Sequence, residues 1–203
     1  MIRHYIFDIG NVILKFDFSV AVSQVADRCA LAEADILPSL MSMHEDLETG
    51  RLSADDFIAE AIRRTGFTGE AEEFRRRFQE IFEVNEPISE LIEELHAAGA
   101  PLYLLSNTSD LHVSFFTKAY GVFDRFHDAV YSHEAGCMKP DAEIFRIAEA
   151  QFGIDPSEAI YVDDLPANVA AAEAAGFRAL VYDHRDHDDF RRRFDAVISE
   201  LSD

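Results

Sequence analysis

The sequence is poor in basic residues. It contains 18 Lys and Arg against 39 Asp and Glu, which gives a formal net charge of −21 at pH 7. Such a surface repels the phosphates of nucleic acids and of anionic lipids, so nucleic-acid binding and binding to anionic membranes are excluded as function classes. A phosphorylated small molecule is not excluded, because a bound metal ion can supply the local positive charge that its phosphate requires.

Cysteine is also scarce, and long apolar runs are absent. The two cysteines, Cys29 and Cys137, are far apart in the sequence and give neither a disulfide framework nor the spacing of a zinc site. No apolar run approaches the length of a membrane span, and residues 1–4 are too few for a signal peptide before the first strand. We therefore expect a protein of the reducing cytoplasm without a membrane segment.

The chain is organised around its first apolar run, Tyr5-Ile6-Phe7. This run is short and rich in strand formers, it ends at Asp8, and Gly10 and Asn11 follow. A strand without alternating polar residues is typical of a parallel sheet that is covered on both faces. Because ligands of open parallel sheets bind beyond the carboxyl ends of the strands, we expect Asp8 at the mouth of such a crevice. An Asp that only begins a turn is the competing interpretation.

The segment after the first strand has the pattern of helices. Apolar residues recur at intervals of three to four, as in helices that bury one face. No second strand is evident over residues 20–86, whereas a crossover to the next parallel strand needs only one helix. We therefore predict an α-helical cap domain over residues 16–85, inserted into a core domain of residues 1–15 and 86–203. The four stripes are Phe18, Val22, Val25 and Cys29; Ile36, Leu37, Leu40 and Met41; Phe57, Ile58, Ala61 and Ile62 after the N-cap Ser53; and Phe74, Phe78, Ile81 and Phe82.

From Pro87 onwards, strands alternate with helices, and the chain ends in a helix that carries Phe190 and Leu201. This alternation implies right-handed crossovers and a parallel sheet with helices on both faces. The predicted fold class is α/β, a doubly wound, Rossmann-like parallel sheet with an inserted α-helical cap. The further predicted strands are Leu102–Leu105, Ala129–Tyr131, Ala159–Val162 and Ala179–Tyr182, and Pro140 is predicted to begin a helix.

Polar groups stand at the ends of three of these strands and in one loop. Ser and Asn are ordinary turn residues, and most lysines only solvate a surface. Two adjacent carboxylates after an apolar strand, in contrast, repel each other unless a cation or hydrogen-bond donors neutralise them. Gathered at one crevice, the set offers a nucleophile, ligands for a hard cation such as Mg²⁺, groups that hold phosphate oxygens and an ammonium. Its members are Asp8, Ser106, Asn107, Lys139, Asp163 and Asp164.

These groups belong to four short motifs. The motifs are Phe7-Asp8-Ile9-Gly10-Asn11-Val12, Leu105-Ser106-Asn107, Lys139-Pro140 and Val162-Asp163-Asp164-Leu165-Pro166-Ala167-Asn168-Val169. In this order they resemble the four motifs of the haloacid dehalogenase (HAD) superfamily, and the helical segment resembles the cap that many members carry. The nearest likeness is to a subgroup whose first motif reads Asp-x-Gly-Asn-Val, which includes bacterial phosphatases of α-glucose 1-phosphate. The phosphatase domain of soluble epoxide hydrolase is a more distant likeness.

The resemblance implies a nucleophile and a metal site. By its position in the first motif, Asp8 would attack phosphorus and form an aspartyl-phosphate. Its carboxylate and the backbone carbonyl of Gly10 would ligate Mg²⁺, together with Asp164 and with Asp163, the latter directly or through water. A metal that bridges nucleophile and phosphoryl group orients an in-line displacement and absorbs developing charge.

The resemblance also implies a phosphate site. Ser106 and Lys139 would bind oxygens of the transferred phosphoryl group, and Lys139 would also keep Asp8 ionised. Asn107 would support this pocket or reach the substrate. The expected activity is that of a Mg²⁺-dependent phosphatase of a small phosphorylated metabolite, above all a sugar phosphate.

One position departs from the pattern of the family. Most of its phosphatases have a second Asp two residues after the nucleophile, which protonates the leaving oxygen, and here that position is Gly10. General acid–base catalysis is typically worth about 10²–10⁴-fold. The absence of this acid therefore leaves four alternatives open. The enzyme is slow, its leaving group needs little protonation, another residue donates the proton, or the protein has lost catalysis.

Two other functions stay open as well. In 2-haloacid dehalogenation the same Asp8 attacks carbon, but this chemistry needs no metal and leaves the pair Asp163 and Asp164 unexplained. A chain that has lost turnover with its acid would instead bind a phosphate ester without hydrolysing it.

Substrate selection is assigned to the polar break between two cap helices, residues 43–53. Such a loop can lean over the crevice, exclude water and contact the leaving group. A solvated turn that ends at Gly50 is the competing interpretation. His44 and Glu48 are the candidate specificity residues of this loop.

Overall fold

The computed structural model describes residues 2–200, without the side chain of Glu200. Its strands are β1 (His4–Phe7), β2 (Leu14–Phe16), β3 (Phe82–Val84), β4 (Leu102–Ser106), β5 (Asp128–Tyr131), β6 (Ala159–Asp163) and β7 (Arg178–Val181). Its α-helices are α1 (Phe18–Val25), α2 (Glu33–Met41), α3 (His44–Glu48), α4 (Ala54–Thr65), α5 (Ala71–Gln79), α6 (Glu86–Ala97), α7 (Asp110–Ala119), α8 (Ser132–Ala135), α9 (Ala142–Phe152), α10 (Pro166–Ala174) and α11 (His187–Glu200). Over the described range, no helix combines the length and the apolarity that crossing a membrane requires.

Five strands form one parallel sheet in the order β5-β4-β1-β6-β7. The chain runs from β1 outwards through β4 and β5, and then returns to the other side of β1 with β6 and β7. The strand order therefore reverses beside β1, which is where ligands bind in open α/β sheets. Phe7 of β1 lies beside Leu104 of β4 and Val162 of β6, so these three strands end at the same edge. The predicted fold class is confirmed.

Both faces of the sheet are covered. Side chains of consecutive strand residues point to opposite faces, so Tyr5 and Phe7 enter one hydrophobic cluster and Ile6 enters another. Helices α6 and α11 cover the first face, whereas α9 and α10 cover the second. Burial on both sides explains why the strands are almost continuously apolar.

Helices α1 to α5 pack around a third hydrophobic cluster, which Leu111 of α7 completes. Ser53 caps α4 as predicted, because its hydroxyl accepts a hydrogen bond from the backbone N–H of Asp56 at 3.2 Å. The cap boundaries at residues 16 and 85 stay a prediction. The antiparallel pair of β2 and β3 lies beside both of them.

The prediction that residues 20–86 contain no strand is wrong. Phe82, taken as the last residue of a helical stripe, lies in β3 and pairs with Phe16 of β2. A strand of three residues is too short to show alternation, and its pairing partner is distant in the sequence. The interpretation of residues 43–53 as a loop between two helices was also too simple, because this segment contains the helix α3. That helix has only one buried residue, Leu47.

The remaining corrections are at element ends. Helix α9 begins at Ala142 with Asp141 as its N-cap, so Pro140 precedes the helix. Strand β7 ends at Val181, one residue before Tyr182. Leu201, which the sequence places on the terminal helix, lies outside the described residues.

Candidate active site

The first motif forms a tight turn directly after β1. The backbone N–H of Asp8 still donates to the Val162 carbonyl at 2.9 Å, and the chain then leaves the sheet. Asn11 has φ of 54°, a left-handed conformation that Asn tolerates better than most residues. Its side-chain amide donates to Oδ2 of Asp164 at 3.2 Å, which ties the turn to the end of β6. The Asp8 and Asp164 carboxylates are thereby brought to one edge of the sheet.

Lys139 is the buried cation of this edge. Its Nζ lies 2.8 Å from Oδ1 of Asp8 and 2.7 Å from Oδ2 of Asp163, and it donates to the Leu105 carbonyl at 2.8 Å. The side chain is only 1% exposed. Burial lowers the pKa of Lys139, but the two carboxylates outweigh burial and the pKa is raised. The ammonium therefore stays charged and holds Asp8 and Asp163 in fixed positions.

Asn107 fixes the loop that carries Lys139. Its amide nitrogen donates to the Lys139 carbonyl at 2.9 Å, and its amide oxygen accepts the Lys139 backbone N–H at 2.8 Å. Of the two predicted roles of Asn107, support of the pocket is the one that this geometry favours. Ser132 gives similar support, since its hydroxyl accepts the Thr108 N–H at 2.9 Å and donates to the Thr108 carbonyl at 3.1 Å. Ser106, the last residue of β4, is buried.

Asp163 is fully buried, and both of its carboxylate oxygens are already hydrogen-bonded. Oδ1 accepts the Leu165 N–H at 2.8 Å and the Asn168 amide at 3.0 Å. Oδ2 accepts from Lys139 and from the Tyr161 hydroxyl. Burial raises the pKa of Asp163, but Lys139 and these donors outweigh it, so the pKa is lowered. Asp163 is therefore an ionised anchor for Lys139, with less freedom to bind a metal directly than its neighbours.

The protein does not fully stabilise the ionised forms of Asp8 and Asp164. Burial raises the pKa of Asp8 to about 7, against the opposing effect of Lys139 and a hydrogen bond from Ser106. Burial also raises the pKa of Asp164, against the hydrogen bond from Asn11. Oxygens of Asp8, Asp163 and Asp164 lie within 4.8 Å of one another. Oxygen ligands with excess negative charge fit a hard divalent cation such as Mg²⁺.

A cavity of about 60 Å³ opens from this edge towards the helices that precede β3. Gly10, Ser106 and Asn107 line this cavity together with His44 and Glu48. The structure thus brings the predicted cap residues to the site. Nε2 of His44 lies 3.1 Å from Oε1 of Glu48, and this hydrogen bond raises the pKa of His44 above its usual value of 6.5.

Sequence reasoning missed His112, which lines the same cavity from α7. Its ring is buried among aromatic side chains, with the Phe82 centroid at 5.1 Å and the Phe18 centroid at 6.0 Å. Burial lowers the pKa of His112 to about 4, so the ring is neutral at pH 7. A single His within the apolar pattern of a helix does not indicate from the sequence that its ring lines a cavity. Tyr161 and Asn168 were also missed as partners of Asp163, although both lie in or beside the fourth motif.

A side chain at Gly10 would require the ring of Phe16 to shift. A Cβ at this position would lie 2.9 Å from Cε1 of Phe16, closer than real contacts of this kind. The aromatic ring of Phe16 in β2 therefore occupies space that an acidic side chain at position 10 would need.

The family model of haloacid dehalogenase-like hydrolases matches residues 2–176. The chain belongs to this family. Its relatives include a D-ribitol-5-phosphate phosphatase of Bacteroides thetaiotaomicron, which is 31% identical over 192 residues in a match that covers 89% of this chain and 91% of that protein. The subgroup with the Asp-x-Gly-Asn-Val motif stays a prediction.

Solved HAD structures have the same fold. A HAD-like hydrolase from Porphyromonas gingivalis is 28% identical with a TM-score of 0.74, and the match covers 91% of this chain and 92% of that one. A HAD enzyme from Bacteroides thetaiotaomicron in complex with magnesium and inorganic phosphate has a TM-score of 0.74 at 21% identity, over 89% of this chain and 94% of that one. At this identity the second likeness shows the fold alone.

Proposed function

We propose that this HAD hydrolase is a Mg²⁺-dependent phosphatase of a small phosphorylated metabolite, of the sugar-phosphate or sugar-alcohol-phosphate class. The observation that carries the proposal is the position of Lys139 between Asp8 and Asp163, with Asp164 facing the same edge. This arrangement offers an oriented carboxylate nucleophile and a place for a divalent cation. The 31% identical D-ribitol-5-phosphate phosphatase supports the substrate class.

Asp8 is the proposed nucleophile. Its free carboxylate oxygen attacks phosphorus, an Asp8 O–P bond forms, and the bond from phosphorus to the leaving oxygen breaks. Ser106 and Lys139 hold the phosphoryl oxygens, and Lys139 favours the ionised form of Asp8 against the effect of burial and orients it through its 2.8 Å contact. Water then hydrolyses the aspartyl-phosphate and releases inorganic phosphate.

The proposed Mg²⁺ ligands are the Asp8 and Asp164 carboxylates and the Gly10 carbonyl, with Asp163 acting through water. When bound, Mg²⁺ supplies charge that offsets the phosphoryl oxygens and the developing negative charge. Asp163 serves mainly by holding Lys139, because its own oxygens already accept hydrogen bonds.

His44 is the proposed proton donor that replaces the acid missing at Gly10. The titratable residues that line the cavity are His44, Glu48 and His112. His112 is neutral at pH 7, and Glu48 is the partner of His44, so His44 is the member that holds an acidic proton there. It gives this proton to the leaving oxygen, and the neutral imidazole then takes one from the water that attacks the aspartyl-phosphate.

Residues 16–85 act in this proposal as a cap that closes over the crevice and excludes water. The dehalogenase alternative is disfavoured, because attack on carbon leaves Asp164 as an uncompensated carboxylate. A cytoplasmic location remains part of the proposal from the sequence.

The test is phosphate release from a panel of sugar and sugar-alcohol phosphates, with Mg²⁺ and with EDTA. Turnover that requires Mg²⁺ and is lost in Asp8→Asn supports the proposal. Binding of esters without phosphate release would show a catalytically silent protein, and chloride release from 2-chloropropionate in EDTA would show a dehalogenase.

A further inference from the structure

The turn of the first motif is closed by its own backbone hydrogen bonds. The Ile9 carbonyl accepts the N–H groups of Ile13 and Leu14, both at 2.9 Å. The N–H of Asn11 donates to the Leu14 carbonyl at 2.7 Å. The carbonyls of Val12 and Ile13 are not acceptors within the turn, although both residues are fully buried. Buried carbonyls are nearly always paired in native proteins, so these two require donors from another part of the chain.

Asn85 supplies both donors. Its backbone N–H donates to the Ile13 carbonyl at 2.9 Å, and its side-chain Nδ2 donates to the Val12 carbonyl at 2.7 Å. Asn85 directly follows β3 and is 1% exposed, so no solvent molecule can replace these contacts. Only the nitrogen of the side-chain amide can donate to a carbonyl oxygen, so an Asp of nearly the same shape could not take this role.

The side chain of Asn85 does not serve the helix that it begins. Asn is a preferred N-cap residue because its side-chain oxygen accepts an N–H of the first turn, but Asn85 makes no such bond at the start of α6. Its Nδ2 donates instead to the Tyr182 hydroxyl at 2.8 Å, in addition to the Val12 carbonyl. The ring of Tyr182 is itself buried edge-on against Phe190, with 4.9 Å between the ring centroids. The amide is therefore held by a fixed partner directly after β7.

The turn that Asn85 holds carries two contributions to the proposed metal site. Gly10 offers its carbonyl, and Asn11, in a left-handed conformation, donates to Oδ2 of Asp164 at 3.2 Å. Because the turn is closed by its own hydrogen bonds, a displacement of Val12 and Ile13 is transmitted to both. Mg²⁺ requires a near-ideal octahedral arrangement of its ligands, so such a displacement weakens its binding.

We infer that Asn85, held by the Tyr182 hydroxyl, is a positioning residue of the Mg²⁺ site, which it serves by fixing the turn of the first motif. This inference rests on the proposed function, because it takes the Gly10 carbonyl and the Asp164 carboxylate as ligands. It adds two residues from outside the four motifs to the machinery of the site.

The test measures the Kd of Mg²⁺ for the substrate-free protein by isothermal titration calorimetry, after EDTA treatment and removal of the chelator. Asn85→Ala should raise this Kd about tenfold, as is typical when a residue that orients metal ligands from outside the coordination shell is lost. Tyr182→Phe should raise it by a smaller factor, because the contact of Asn85 with Val12 remains. Ile144→Val is the matched control, since it removes a buried methyl group from α9 on the opposite face of the sheet.

Loss of stability alone does not move this readout, because the Kd reports on the folded site at a temperature where circular dichroism shows every variant folded. Tyr182→Phe removes a single hydroxyl group, so the test stands even where Asn85→Ala folds poorly. An unchanged Kd in either folded variant, or an equal rise in Ile144→Val, would overturn the inference. A wild type that neither binds Mg²⁺ nor hydrolyses p-nitrophenyl phosphate in its presence would instead overturn the proposed function, and the inference with it.

Discussion

The ring of Phe16 occupies the space that a side chain at Gly10 would need, with 2.9 Å between the ideal Cβ position and Cε1. Phe16 is held there by strand pairing to Phe82 and by ring contacts with Phe18 and Phe82. The absence of an acid at position 10 and the presence of the Phe16 ring are therefore linked, because the ring takes the space that the acid would need. An Asp introduced at position 10 meets a packed ring rather than a vacant site.

Gly10→Asp is expected to lower stability without restoring acid catalysis. Overpacking of this kind costs about 1–3 kcal/mol, and at this chain length about 1 kcal/mol lowers Tm by about 2–4 °C. Thermal melting measures the loss, and Gly121→Asp is the matched control because a Cβ at Gly121 meets nothing within 4 Å. Phe16→Ala should reduce the cost of Gly10→Asp in a double-mutant cycle. If the Gly10→Asp variant had the Tm of the wild type and hydrolysed alkyl phosphates faster, the prediction would be wrong, because the Phe16 ring would then move aside without cost.

The site residues at strand ends were predictable because their placement follows from local sequence. A short apolar run that ends in a carboxylate indicates where Asp8 and Asp164 lie, once the strands are known to be parallel. Lys139 is not at a strand end, and only the motif order indicated that it joins them. The contact with Phe16, in contrast, depends on β3, which pairs with a strand that is 70 residues away by the register of Leu14 with Val84, and few local signals report such pairing.

The wall of the cavity beside Gly10 could not be predicted for a related reason. His112 lies in α7, and which residues of this helix line the cavity depends on how the helix packs against the rest of the chain. The sequence placed His44 and Glu48 in a candidate loop, and the helical geometry of α3 puts them four residues apart on one face. Their proximity to Gly10 required the structure.

Asp8→Asn is expected to abolish phosphate release and to leave the fold intact. The amide is nearly isosteric but is a very poor nucleophile, so the loss should exceed about 10³-fold. Circular dichroism and thermal melting check the fold, and the exposed Asp188→Asn is the control for a change of charge. Substantial residual turnover would remove Asp8 from the role of nucleophile.

Activity is expected to require Mg²⁺, and Asp164→Asn should raise the Mg²⁺ concentration for half-maximal activity by at least about tenfold. A carboxylate ligand is lost, together with charge that attracts the cation. Titration of Mg²⁺ after treatment with EDTA measures this shift. Full activity in EDTA would contradict the metal-dependent mechanism.

The same variant should be more stable than the wild type without metal at neutral pH. Burial raises the pKa of Asp164, so the folded state binds more protons than the unfolded state and the free energy of unfolding falls as pH rises through this range. The gain in Tm of Asp164→Asn in EDTA should therefore grow from about pH 4 towards pH 7. Asp183→Asn should instead lower Tm by an amount that changes little between about pH 5 and pH 7, because hydrogen bonds from Arg185 lower the pKa of Asp183 and the carboxylate is ionised in both states at these pH values. A constant gain across this range would show that the effect is not electrostatic.

The role of His44 as proton donor is tested by varying the leaving group of the substrate. An aryl phosphate needs little protonation, a sugar 1-phosphate needs more, and a 6-phosphate of the same sugar needs most, because the acidity of the leaving alcohol falls in this order. Single-turnover formation of the aspartyl-phosphate isolates the step from later hydrolysis. In His44→Gln the 6-phosphate should lose about 10²-fold or more, whereas the aryl ester should lose much less.

For the wild-type enzyme, the rate with the 6-phosphate divided by the rate with the aryl ester should fall as pH rises through the pKa of His44, which the hydrogen bond to Glu48 holds above 6.5. The ratio is used because both esters depend equally on ionised Asp8, whose pKa is also raised. Glu48→Gln should move this fall to lower pH, since it removes the carboxylate that stabilises the imidazolium. An equal loss for all three esters in His44→Gln would assign His44 to binding and leave the proton to another group.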